Sequence, residues 1–134
     1  MSKIKERVLY PMTFLHTTDL KKTKKFYNGI LKLPIALDYP NVVVFKIGKG
    51  GYWGFVKEDD ITRNPNTVCL SITVKSKKNV DDYYIMLNKK KVKCRIAPRD
   101  SPRYGIYTSF YEDPNGYTVE VQTFVDKTKT PKHK

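Results

Sequence analysis

Imidazole and thiol side chains, the groups that most often bind zinc, are few in this sequence. The chain has two cysteines and two histidines, which stand far apart as His16, Cys69, Cys94 and His133. Structural zinc sites use four cysteine or histidine ligands at close spacing, and two cysteines cannot build a disulfide framework. Zinc-finger and disulfide-scaffold classes are therefore excluded, and any chemistry depends on single residues and the elements that position them.

His16 lies in a short strand candidate that runs from Met12 to Thr18. Side chains two residues apart on a strand share a face, so Met12, Phe14 and His16 are predicted to point the same way. Two roles remain open for His16. It either contacts a ligand or is an inert, hydrogen-bonded histidine at the mouth of a cleft.

Cys69 begins a second strand candidate, Val68 to Val74. Free cysteines are among the most buried residues, so a small apolar core residue is favoured over a reactive thiol. Nothing near Cys69 in the sequence would lower the pKa of its thiol.

The composition describes one domain with a real core. The chain has 134 residues, of which 40% are hydrophobic and 13% aromatic, which is enough apolar surface to exclude wholesale disorder. No apolar run reaches the ~20 residues of a membrane-spanning helix, and no secretory signal is recognisable at the start. We therefore expect a cytoplasmic protein.

The charge is strongly positive, with 26 basic against 13 acidic residues and a net charge of +13. Basic residues are spread over predicted helix faces and two tails, residues 1–9 and 126–134, without a helix-turn-helix, RNA-recognition or zinc-finger pattern. We expect no specific nucleic acid, only weak and salt-sensitive binding at most. A positive protein favours an anionic or neutral small-molecule ligand over a cationic one.

The pattern of predicted elements occurs twice. Asp19 is a helix N-cap before the amphipathic run LKKTKKFYNGIL, and strand candidates follow at Ile35 to Tyr39, Val42 to Ile47 and Tyr52 to Lys57. After the link DDITRNPN, a strand, a helix capped by Ser76 and three more strands follow, at Val92 to Ala97, Tyr104 to Glu112 and Tyr117 to Phe124. The sequence predicts two βαβββ modules, residues 10–58 and 67–125, in one domain spanning 10–125.

The two halves can be aligned on one another. One shift places Asp19 on Ser76 and Met12 on Cys69, and a longer shift places Gly51-Tyr52 on Gly116-Tyr117. The longer shift also places Phe55 on Glu120. A duplication with only two copies predicts a closed, pseudo-symmetric unit with a cleft where two sheets meet.

Motifs at both ends of this pattern resemble the vicinal oxygen chelate superfamily of glyoxalases, bleomycin-resistance proteins and extradiol dioxygenases. Asp19-Leu20, Phe26-Tyr27 and Leu31 resemble that family's opening D-L-x-x-S-x-x-F-Y-x-x-x-L-G-L, with Thr23 and Lys32 as departures from the serine and the glycine. The closing motif D-P-x-G-x-x-x-E matches from Asp113 to Glu120. The resemblance covers about Tyr10 to Phe124 and implies an α+β fold in which two βαβββ modules form an open curled barrel, in many relatives as a homodimer.

The resemblance also implies where a divalent metal would bind. The four family ligand positions fall on Met12, Phe55, Cys69 and Glu120. Only Glu120 is a typical ligand, and three protein ligands are normal for a catalytic ion. We therefore expect no metal or other cofactor. A relocated site using His16, Cys69 and Glu120 is an alternative, although about 13 Å of strand separates His16 from Met12.

A carboxylate on the inner face of a barrel strand is costly unless it is paired or solvated. Glu120 is therefore predicted to be the catalytic or anchoring group of the cavity, with the remnant of a lost metal site as the alternative. The predicted ligand-binding residues are Met12, Phe14, His16, Trp53, Phe55, Cys69 and Arg103. Arg103, in a loop at the expected cavity rim, could clamp a carboxylate or phosphate or could simply be a solvated surface residue.

These features predict a small-molecule-binding protein of the glyoxalase and bleomycin-resistance group with a degenerate, metal-free cavity. The alternative is a metal-dependent lyase or isomerase of the same superfamily, similar to lactoylglutathione lyase, with Cys69 or another chain completing the ligand set. Whether the protein is an enzyme stays open at this point, because one scaffold hosts many chemistries.

Overall fold

The computed structural model describes residues 9–59 and 68–131. The chain divides into two compact units, Met1–Arg63 and Asn64–Lys134. Most of the predicted tail at residues 1–9 and most of the link between the modules lie outside the described residues, as does His133. In the described part of the chain, no helix combines the length and apolar character that a bilayer span needs.

The first unit contains a complete βαβββ module. Its elements are β1 (Met12–Thr17), α1 (Leu20–Lys24), a π-helix that continues α1 (Lys25–Ile30), β2 (Ile35–Tyr39), β3 (Val42–Ile47) and β4 (Gly51–Lys57). The sheet order is β1-β4-β3-β2, with β1 parallel to β4 and the other pairs antiparallel. Asp19 caps α1 as predicted, because its carboxylate accepts a hydrogen bond from the Lys22 amide at 2.9 Å.

The second unit repeats this arrangement. Its elements are β5 (Cys69–Thr73), α2 (Lys77–Lys89), β6 (Cys94–Ser101), β7 (Ile106–Glu112) and β8 (Thr118–Phe124), followed by a 3₁₀ turn (Lys127–Lys129). The sheet order is β5-β8-β7-β6, with β5 parallel to β8. The predicted α+β fold of two βαβββ modules, typical of glyoxalase-like proteins, is therefore confirmed.

Several strand ends shift by one or two residues, and the second half of the first predicted helix is a π-helix. Two segments differ further from the sequence expectation. β6 extends through the predicted turn to Ser101, because the register shift against β7 between Ile96 and Arg99 absorbs Pro98, which cannot donate to a regular ladder. The chain after Asp126, expected to fray, forms a 3₁₀ turn whose N-cap is the Asp126 carboxylate.

In the first module the helix packs on one face of the sheet through aromatic rings. Tyr27 stacks on Phe55 with ring centroids 4.8 Å apart and contacts Phe45 at 5.5 Å, and all three side chains are fully buried. Trp53 lies on the same face, 6.2 Å from Tyr27. These contacts define the helix face of this sheet.

In the second module α2 buries Val80 and Leu87, and the sheet buries Tyr111, Val119 and Val121. The Tyr107 hydroxyl donates to Asp81 of α2 at 2.7 Å, so odd-numbered residues of β7 face the helix. The register between β7 and β8 puts Glu120 and Gln122 on the opposite, open face.

The register corrects the sequence alignment of the last strands by one residue. Met12 pairs with Tyr52 in the first module, and Cys69 pairs with Thr118 in the second. Tyr52 therefore corresponds to Thr118, and Gly54, not Phe55, corresponds to Glu120. The shared Gly-Tyr dipeptide misleads because Gly51-Tyr52 lies within β4, whereas Gly116-Tyr117 lies in the turn before β8.

This correction can be tested by removing one phenylalanine ring from each face of the first sheet. Phe55→Ala should lower the free energy of unfolding by about 3–5 kcal/mol, because it empties a fully buried site. Phe14→Ala, on the opposite face with a side chain 53% exposed, should cost about 1 kcal/mol or less. Chemical denaturation measures both, and equal losses would contradict the assignment of the two faces.

Candidate functional site

A cavity of about 640 Å³ lies on the open face of the second sheet. Strands β7 and β8 form its floor. Its rim is formed by β6, by the loop that follows β6 and by the C-terminal 3₁₀ turn. Ile106, Phe110 and Phe124 supply apolar surface, and Ser101, Thr108, Glu120 and Gln122 supply polar groups. The rim carries three cations, Arg99, Arg103 and Lys129. This volume and mixed lining are typical of small-molecule sites.

Among residues 9–59 and 68–131, Glu120 is the single acidic residue that lines the cavity. The Thr108 hydroxyl donates to Glu120 Oε2 at 2.7 Å, and Thr108 is only 2% exposed. This bond uses one acceptor position of a carboxylate that has about four. The half-buried Glu120 therefore has acceptor capacity left over.

The turn before β8 positions Glu120. Asp113 Oδ1 accepts the backbone amides of Asn115 and Tyr117, both at 2.8 Å, and Gly116 takes the positive φ of 86° that closes the turn. The matched D-P-N-G motif is thus a structural device that sets where β8 begins. Together with strand pairing, it puts Glu120 on the open face.

Arg95 holds the ends of β7 and β8 beside this turn. Its guanidinium donates to Glu112 at 2.7 Å, to the Gly116 carbonyl at 2.9 Å and to the Thr118 hydroxyl. The Arg95 hydrogen bond holds the pKa of Glu112 below its usual range. Because these bonds occupy its guanidinium, Arg95 has a structural role and is not a candidate for ligand binding.

Cys69 is exposed, which contradicts the expectation of a core cysteine. It lies at the start of β5, opposite Thr118, on the same face as Glu120. Partial burial of the sulfur and, secondly, the charge of Glu120 raise the pKa of the Cys69 thiol. The thiolate is disfavoured, so the structure offers no activated nucleophile at this position.

The open face of the first sheet has a different character. Met12, Phe14 and His16 share that face, as predicted, and all three are exposed. Phe14 lies across Gly54, where an added Cβ would come within 2.6 Å of its ring. The position corresponding to Glu120 therefore has no side chain, and a phenyl ring covers it.

Trp53 and Phe55 were expected to line the cavity but do not share the face of Phe14. Both lie on the helix face, and Phe55 is fully buried against Tyr27. His16 Nδ1 lies 3.5 Å from Glu58 in an exposed pair, an arrangement that contributes little to stability. Of the predicted site residues, only Glu120 and Arg103 line the cavity of the second module.

A family model described as the Glyoxalase/Bleomycin resistance protein/Dioxygenase superfamily matches residues 10–121. The chain belongs to this superfamily. No curated protein matches the sequence. Solved structures with a similar fold include a glyoxalase/bleomycin resistance protein/dioxygenase from Nocardioides, 18% identical with a TM-score of 0.74, over 95% of this chain and 89% of that one.

Another similar structure is the lactoylglutathione lyase from Agrobacterium tumefaciens, 20% identical with a TM-score of 0.71. The match covers 87% of this chain and 93% of the lyase. A glyoxalase/dioxygenase from Nostoc punctiforme is 16% identical with a TM-score of 0.74, over 90% of this chain and 92% of that one. At these identities the likeness shows the fold.

The residues at the family's metal positions do not fit a catalytic ion. With the corrected register, those positions hold Met12 and Gly54 in the first module and Cys69 and Glu120 in the second. A thioether is a weak ligand for divalent zinc, nickel or manganese, and a glycine has no side chain. Within residues 9–59 and 68–131, no three histidine, cysteine or acidic side chains are grouped as a metal site would require.

Sequence reasoning missed Arg99, Thr108 and Lys129 as cavity residues. Thr108 had a usable signal, since it stands at an alternating position of a predicted strand. Arg99 belongs to the segment that the resemblance already placed at the cavity rim, although only Arg103 was named from it. Lys129 had no signal, because it was assigned to a tail. Their positions depend on the bulges of β6 and on the fold of the C-terminal turn.

The electrostatic effect of Glu120 on the Cys69 thiol predicts how fast this thiol reacts. In a Cys94→Ser background, iodoacetamide should modify Cys69 more slowly than free cysteine near neutral pH, because its raised pKa leaves less thiolate. Glu120→Gln should speed the reaction about twofold or more by removing a nearby negative charge.

The matched control is Asp82→Asn, which removes an exposed carboxylate on α2 without affecting the open face. It should leave the alkylation rate unchanged. A rate above that of free cysteine, or no response to Glu120→Gln, would contradict this description of the site.

Proposed function

We propose that this protein binds a small organic molecule, without a metal ion, in the cavity on the open face of its second sheet. The observation that carries the proposal is Glu120, a cavity carboxylate fixed by Thr108 with acceptor positions left over. A volume of about 640 Å³ suits an organic ligand of moderate size.

The contacts of Glu120 favour a binding role over metal ligation. Its hydrogen-bond partner is the Thr108 hydroxyl on the neighbouring strand. The other family metal position on the same sheet is Cys69, whose thiol has a raised pKa. A carboxylate in this setting accepts hydrogen bonds from a ligand hydroxyl, amine or amide. It can also take up a proton, so a base role is compatible with the same geometry.

The metal-dependent lyase or isomerase remains the alternative. It needs at least three protein ligands, and the four family positions supply one carboxylate and one thiol of raised pKa. The missing ligands would have to come from another chain. Homodimerisation and a cytoplasmic location stay predictions from the resemblance and from the composition.

A neutral aromatic amide, 1-naphthamide, tests the proposal. Titrated into ¹⁵N-labelled protein, it should shift amide resonances of β6, β7 and β8 around the cavity, with a dissociation constant in about the millimolar range for a ligand of this size. Glu120→Gln should weaken binding several-fold while the free energy of unfolding changes by about 0.5 kcal/mol or less, since the glutamine carbonyl still accepts from Thr108.

Glu58→Gln is the matched control, because Glu58 is an exposed glutamate of the first module. It should leave the affinity for 1-naphthamide unchanged. Shifts confined to other surfaces, or a large loss of stability in Glu120→Gln with unchanged binding, would make Glu120 a structural residue and overturn the proposal.

A further inference from the structure

The charges around the cavity of the second module are unequal. Arg99, Arg103 and Lys129 face one carboxylate, Glu120. Among the described residues, neither Arg99 nor Arg103 forms an ion pair, and both are exposed. Arg103 lies over the ring of Tyr104, with its guanidinium carbon 5.3 Å from the ring centroid.

Neighbouring carboxylates do not neutralise the two arginines because they are engaged elsewhere. Asp100, next to Arg99, pairs with Lys77 of α2 at 3.1 Å. Glu112 pairs with Arg95 at 2.7 Å, and Asp126 caps the C-terminal turn. Among the described residues, Glu120 is thus the one carboxylate in the lining that can offset these cations, and the rim keeps an excess of positive charge.

The loop that carries Arg103 is held in place by the C-terminal turn. Lys129 Nζ donates to the carbonyls of Pro102 and Arg103, both at 3.1 Å. The backbone amides of Val125 and Asp126 donate to the Gly105 carbonyl at 2.8 and 3.1 Å.

Gly105 is required at that contact. It has a φ of +65°, and an added Cβ would come within 2.5 Å of Asp126. Because both the turn and the glycine fix this loop, Arg103 and Tyr104 start from a defined backbone, which lowers the entropic cost of ordering them around a ligand.

The strand register separates Arg99 from Glu120. Arg99 pairs with Thr108 on β7, and Thr108 in turn pairs with Gln122, two residues from Glu120 on β8. Two strand spacings of ~4.8 Å place the backbones of Arg99 and Glu120 about 10 Å or more apart. Apolar Ile106, Phe110 and Phe124 also line the cavity.

We propose that the ligand of this cavity is an organic acid whose carboxylate or phosphate is bound by Arg99 and Arg103. Its apolar body lies on the phenylalanine side chains, and a hydrogen-bond donor at its other end reaches Glu120. Guanidinium groups suit oxyanions because their planar array of donors matches the acceptor geometry. This inference rests on the proposed function and adds the chemical class of the ligand.

The test uses three probes with one ring system, 1-naphthoate, 1-naphthyl phosphate and neutral 1-naphthamide, titrated into ¹⁵N-labelled full-length protein. At least one anionic probe should bind about tenfold more tightly than the amide, at the same cavity resonances, and the advantage should shrink as salt is added. The naphthoate and the phosphate arms tell which oxyanion the arginines prefer.

The variant Arg99→Gln/Arg103→Gln should remove the higher affinity for the anionic probe and leave the affinity for 1-naphthamide nearly unchanged. The matched control, Lys89→Gln/Lys90→Gln, removes the same charge from the exposed end of α2 and should keep the advantage. If the charge advantage falls equally in both variants, general surface charge causes it and the arginine site is refuted.

Two further outcomes separate this inference from the proposed function. Binding of all three probes in the cavity with equal affinity would overturn the oxyanion site while supporting the binding function. Binding of none of the three in the cavity would overturn both.

Discussion

Parallel pairing between the first and last strands of each module is the constraint on which the site depends. It joins β1 to β4 and β5 to β8, and it decides which side chains face the helix and which face the open side. A slip of one residue would exchange the two sets, because strand side chains alternate. With the observed register, Phe55 enters the core and Glu120 faces the open side of its sheet.

The two modules share a backbone pattern but present different open faces. In the first, Phe14 covers Gly54, and the exposed face carries Met12 and His16. In the second, Glu120 bonded to Thr108 occupies the corresponding position beneath a cationic rim. The duplication therefore supplies a repeated scaffold, and single side chains at equivalent positions determine where a ligand can bind.

Much of the fold could be predicted from the sequence, because local signals agreed with one another. Asp19 and Ser76 cap the helices as their positions suggested, and the Asp113 motif forms the turn before β8. Signals of this kind depend on near neighbours in the chain. The two βαβββ modules followed from them and from their repetition.

The site was harder to predict because it depends on register. Phe55 was aligned with Glu120 through a Gly-Tyr pair that lies in a strand in one module and in a turn in the other. Arg99 and Lys129 become cavity residues through the bulges of β6 and the packing of the C-terminal turn on Gly105. Such positions result from tertiary contacts, which local sequence patterns do not predict.

We propose above that this cavity binds its ligand without a metal ion. The most direct measurement is elemental analysis of protein purified without a histidine tag or added metal, followed by titration with zinc, nickel and manganese. We predict no stoichiometric ion and no saturable binding at one site per chain. One tightly bound ion per chain that is lost in Glu120→Gln would contradict metal-free binding and make Glu120 a metal ligand.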